Sequence, residues 1–237
     1  MLQLPALWNN RHRPQVMYWP LTAPFLLAAA VVLMITLAIV QIGTSAITKL
    51  GISPDGALLI LLASLIGSAI NIPVGQIRSQ IMHLYRQVQV FGVRYLVPVT
   101  SHRTTLVAVN VGGALVPVVL SGYLIPHDHL GWLALAAVAI VAVAVYLVAR
   151  PVPGLGIAVP ALLPGIYAAG AAILLHPAAI AGLAYVGGTL GTLIGADLAN
   201  LRKVRGLGAP LVSIGGAGTF DGVFLTGIIA VLLATLI

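Results

Sequence analysis

Seven stretches of this chain run for about 20 residues each with scarcely a charge inside them, and that is the length at which an apolar helix crosses a bilayer's hydrocarbon core. They cover approximately residues 21–42, 57–76, 104–124, 130–149, 155–175, 177–198 and 219–237. Only 6% of all residues are charged, where globular proteins carry roughly a quarter. The sequence therefore predicts an all-α, polytopic membrane protein with about seven transmembrane helices. Pro160 and Pro164 interrupt the fifth run, which predicts a kinked or partly unwound segment there.

Alternating the loops across the membrane places Arg11, Arg13, Arg78, Arg86, Arg94, Arg103, Arg150, Arg202, Lys203 and Arg205 on one side. Only Lys49 falls on the other, with Asp55, His127, Asp128, His129 and His176. By the positive-inside rule the chain is an inner-membrane protein with a cytoplasmic N-terminus and an external C-terminus. The net charge of +7 is thus topological. Basic residues scattered between apolar runs form no continuous stripe, so no nucleic acid is expected as a partner. The bilayer is the expected partner.

Residues 1–20 hold Trp8, Tyr18 and Trp19 around a short basic cluster, which suits an interfacial segment leading into a retained anchor helix. Residues 21–237 are read as a single transmembrane domain with a cytoplasmic loop at about 77–103. Within that loop, residues 81–99 alternate apolar and polar side chains around Phe91-Gly92, a two-fold period that predicts a β-hairpin. It is the one candidate sheet. The hairpin reads as a structured loop, with strand addition to an extended peptide as the functional alternative.

Without cysteine the chain has no disulfide, thiol nucleophile or thiolate metal site. His127-Asp128-His129 lacks a third ligand for a metal, and no glycine-rich phosphate loop leads into a basic helix. No cofactor and no metal are expected.

The acids are more informative. Asp55 and Asp128 fall in loops, whereas Asp197 and Asp221 adjoin apolar runs, where an ionisable group marks a functional site by default. Residues 206–218 can dip back into the membrane between them, bringing both acids to a similar depth. Two carboxylates a few ångströms apart cannot both ionise easily and would share a proton. Such a pair suits an aspartyl protease: one carboxylate takes a proton from water while the other donates to the scissile carbonyl. Gly195 and Ala196 precede the first acid, and Gly218 and Gly222 flank the second, leaving room for a substrate backbone.

These motifs resemble those of presenilin, signal peptide peptidase and related intramembrane aspartyl proteases. Gly195-Ala196-Asp197 resembles their Gly-x-Gly-Asp motif, Phe220-Asp221 their Tyr-Asp motif, and Pro160-Ala161-Leu162 their Pro-Ala-Leu tripeptide. The two aspartate motifs stand here in reverse order. The resemblance implies Asp197 and Asp221 as catalytic residues and a transmembrane peptide as substrate. From the second run onward the chain also resembles a prokaryotic family of multi-pass membrane proteins labelled as a domain of unknown function. That resemblance rests on SAINIPVGQI, AVNVGGALVPV, GIAVPALLPG, GTLGTLIGADL and GGAGTFDGVFLTGIIAVLLA.

Asn71 and Asn110 are the other polar residues that stand out within apolar runs. They either make interhelical hydrogen bonds or line the aspartate cavity and orient substrate carbonyls or water. Gly-Gly pairs recur at Gly112-Gly113, Gly187-Gly188 and Gly215-Gly216, where backbones can approach closely. A channel or secondary transporter that binds a proton or cation at the same aspartates is the alternative function. A structural role, in which each aspartate caps a helix or pairs with Arg202 or Arg205, is the third.

Overall fold

The computed structural model of the chain describes residues 22–78, 84–90, 93–99, 104–152, 156–175, 177–206, 211–216 and 222–236. They form seven α-helices: α1 (Thr22–Thr48), α2 (Pro54–Gly67), α3 (Val116–His127), α4 (Gly131–Val148), α5 (Leu163–Leu175), α6 (Ile180–Thr192) and α7 (Gly222–Ala234). The fold is predominantly helical, as the apolar runs predict. Three helical stretches, Phe25–Thr48, Gly131–Val148 and Ile180–Val204, are long and apolar enough to cross a membrane. The other α-helices are shorter. At 1.5 Å per residue, the 13 residues of α5 or α7 reach about 20 Å, short of a hydrocarbon core of about 30 Å.

The chain divides into two units, Met1–Ile39 and Val40–Ile237. In the first, α1 carries Phe25, Leu26, Leu27, Val32 and Met34 exposed all round its circumference. A helix apolar on every side and exposed on every side is built for lipid.

In the second unit α6 packs against α3, α4, α5 and α7. Ten of its thirteen residues are buried, most of them small. A Cβ added to Gly191 would lie 2.6 Å from Val141 Cβ, and one added to Gly187 3.2 Å from Ala137 Cβ. These absent side chains let α4 and α6 meet backbone to backbone, the packing available where lipid removes any hydrophobic drive between helices. Leu124, Val141, Val145, Leu183, Tyr185, Val186 and Val231 fill the surrounding core.

Sheet structure is more extensive than the sequence predicts. β1 (Asn71–Arg78) pairs antiparallel with β4 (Thr104–Asn110), and β4 pairs parallel with β7 (Leu211–Ile214). The ends of the second run and the start of the third are therefore strands, not helix. Pro73 and Gly75 oppose helix in the first case. A Thr-Thr-Leu-Val-Ala-Val sequence rich in β-branched residues favours strand in the second. The stretch expected to dip back between the two acids supplies β7.

The expected hairpin is present as β2 (Leu84–Val90) and β3 (Val93–Val99), with Val90 opposite Val93. β5 (Arg150–Val152), just before the fifth run, pairs antiparallel with β6 (Gly156–Ala158) at its start. The run's helix begins only at Leu163, beyond Pro160, and Pro164 sits in the first turn of α5 where a missing N–H costs nothing.

Candidate functional site

The C-terminal ends of β4 and β7 and the start of β1 lie at one end of the sheet, and each strand there hands over to a glycine-rich turn or a helix. Unpaired backbone groups accumulate at such a junction and must find side-chain partners. Asn110, the last residue of β4 and 3% exposed, supplies most of them. Its Oδ1 accepts from Gly113 N–H at 2.7 Å, capping the π-helical turn Val111–Leu115 that leads into α3. Its Nδ2 donates to the Ser68 carbonyl at 2.7 Å, just past the end of α2, and to Asn71 Oδ1 at 3.2 Å. Ser213 Oγ on β7 also donates to Asn71 Oδ1. The two asparagines expected inside apolar runs thus meet, joining all three strands to α2.

Close backbone approach tightens the junction. Ser64 Oγ donates to the Gly112 carbonyl at 2.7 Å, and a Cβ on Gly112 would stand 1.9 Å from the Ser64 carbonyl oxygen. Gly215 has φ +82° and faces Gly113, whose carbonyl carbon would be 2.6 Å from an added Cβ. Two of the three Gly-Gly pairs therefore face each other.

Asp197 enters this junction from α6. The helix continues beyond Thr192 as a π-helical turn, Leu193–Leu198, in which Ala199 N–H reaches back to Ile194 O at 2.9 Å. Turns of this kind recur at functional sites. Asn200, fully buried, closes the turn by donating from Nδ2 to the carbonyls of Gly195 (2.8 Å) and Ala196 (3.0 Å). Asp197, half-buried, accepts the Gly215 N–H at Oδ2 over 2.7 Å. Beneath it Leu193 packs with Val107, Ala114, Ile214 and Val223 in a small apolar cluster.

The remaining expected site residues are spread around this point. Gly195 turns its Cα to α4, where a Cβ would lie 2.3 Å from the Ala142 carbonyl oxygen, so α4 backbone fills the space left by its missing side chain. Pro160, Ala161 and Leu162 are exposed at the entry to α5. β6, just before them in the chain, packs against the Leu193–Leu198 turn. Gly222 is the exposed first residue of α7, while Gly218 and Asp221 lie outside the described residues. Asp197 makes no ion pair with Arg202 among the described residues. Ser64, Asn200 and Ser213 contribute to the junction although nothing in the sequence singles them out; an Asn three residues past Asp197, at the end of an apolar run, is the nearest to a signal.

Chemically the junction offers one carboxylate with an oxygen held by a backbone N–H. Among the described residues no group of three or more His, Asp or Glu side chains could hold a metal ion. At the far end of α3, His127 Nδ1 lies 2.7 Å from Asp128 Oδ1 and its ring stacks on Tyr123.

A family model described as "Protein of unknown function (DUF1614)" matches residues 65–233. No curated protein and no solved structure matches the chain.

Proposed function

We propose that this chain, which belongs to the DUF1614 family of proteins of unknown function, works as an intramembrane aspartyl protease with Asp197 and Asp221 as its dyad. The observation that carries the reading is the position of Asp197. It sits in a π-helical turn at a polar junction, tied to the segment that leads on to Asp221. Gly215, the partner of the Asp197 carboxylate, stands six residues before Asp221, and Val223, two residues after it, packs in one cluster with Leu193. The contact of β6 with the Asp197 turn, just before Pro160-Ala161-Leu162, supports the same reading.

In the mechanism one carboxylate removes a proton from water and the other donates to the scissile carbonyl. Asn71, Asn110 and Ser213 hold the strand ends of the junction together. The substrate is a transmembrane peptide. The chain crosses the inner membrane seven times, N-terminus inside.

Asp197→Asn and Asp221→Asn should each abolish cleavage of a reporter transmembrane peptide while the protein stays folded. Cleavage surviving either change would end the proposal. A second reading, movement of a proton or cation past Asp197, is favoured by the Asn110, Asn71 and Ser213 network at a point where helices break. Proteoliposome flux removed by Asp197→Asn, without cleavage, would select it.

A further inference from the structure

Close after Asp197 the chain displays cations that no acid among the described residues answers. Leu201–Gly206 is a 3-10 turn pinned by Val204, 1% exposed, and by Lys203 N–H donating to the Asn200 carbonyl at 2.8 Å. Its exposed side chains Arg202 and Lys203 therefore project from anchored backbone. Lys203 Nζ lies 4.4 Å from the ring centroid of Tyr146, in the last turn of α4. Arg150 follows Tyr146 by four residues and is also exposed. Arg150, Arg202 and Lys203 make no ion pair among the described residues.

The same end of α4 presents apolar surface. Val143 and Leu147, one turn apart on one face, are 61% and 75% exposed. An exposed apolar strip thus runs up to an aromatic ring and then to exposed cations, the order of chemistry found along a phospholipid from acyl chain to headgroup. Guanidinium groups match phosphate oxygens in pairs, and a lysine adds a mobile point charge.

We propose that Arg150, Arg202 and Lys203 bind the headgroup phosphate of an anionic phospholipid whose acyl chains lie along Val143 and Leu147. Binding is independent of any cleavage or transport at Asp197. The complementary charge and the adjoining apolar strip select a lipid over a soluble phosphate.

The test uses the full chain reconstituted with spin-labelled phosphatidylglycerol or phosphatidylcholine, reading the motionally restricted fraction by electron paramagnetic resonance. The wild type should prefer phosphatidylglycerol. The preference should fall by about fivefold per cation removed in Arg202→Gln/Lys203→Gln, and survive in Lys203→Arg. Lys49→Gln, at the other end of the helices, should leave it unchanged. Arg150→Gln alone, which removes no described side-chain bond, gives the same readout should the double variant not fold. Equal preference in wild type and variants, an equal loss in Lys49→Gln, or displacement by free inorganic phosphate would overturn the proposal.

Discussion

Asn110 offers the sharpest test of how the junction is built, because its two amide atoms do different jobs. In Asn110→Ala the Gly113 N–H loses its cap, which costs about 1 kcal/mol. The two bonds from Nδ2, to the Ser68 carbonyl and Asn71 Oδ1, contribute about 0.6–1 kcal/mol each in a membrane bundle. The sum predicts a loss of about 2–3 kcal/mol. Asn110→Asp keeps the cap but turns a carboxylate oxygen toward two acceptors, so it should destabilise more than alanine does, despite being nearly isosteric. Equilibrium unfolding in mixed micelles, followed by far-ultraviolet circular dichroism, measures both. An alanine variant losing less than about 1 kcal/mol, or an aspartate variant milder than alanine, would refute the hydrogen-bond assignment.

Three further outcomes follow from packing and topology. Gly215→Ala combines positive-φ strain of about 1 kcal/mol or more with a clash against Gly113 backbone; in the same unfolding assay it should cost more than the strain alone. On α5 and α6, Gly170→Ala meets nothing within 4 Å and should stabilise by about 0.5–1 kcal/mol, whereas Gly191→Ala, pressed on Val141, should destabilise by about 1–3 kcal/mol. Stabilisation by both would mean that α4 and α6 do not meet as described. A reporter fused after Ile237 should read as external and one inserted beside Arg202 as cytoplasmic; a cytoplasmic C-terminus would contradict the seven-pass topology.

Several of these features were legible in the residues. Charge depletion announced long apolar helices, and the alternation over 81–99 announced the β2–β3 hairpin, because a period of two has no helical equivalent. The strands at Asn71–Arg78 and Thr104–Asn110 were hidden inside apolar runs. Hydropathy reports what a residue prefers to touch, not its backbone conformation, and only Pro73 and the β-branched run hinted at the difference. The meeting of Asn71 and Asn110 depends on strand register, which no local window contains. Ser213 was invisible for the same reason, since its partner Asn71 is distant in the chain, whereas Asn200 bonds only to carbonyls four and five residues before it. Gly113 and Gly215 likewise find each other across about a hundred residues of chain, although each Gly-Gly pair was visible by itself.

The central claim is that Asp197 and Asp221 act on one proton. Infrared titration of the carboxyl groups in the reconstituted protein, in wild type and in each single Asn variant, addresses it directly, since groups that share a site titrate as a pair. The account predicts that replacing Asp221 by Asn moves the titration of Asp197, and that Asp197→Asn moves that of Asp221. If the remaining carboxyl titrates in each variant as it does in the wild type, the two acids do not share a site and the dyad is wrong.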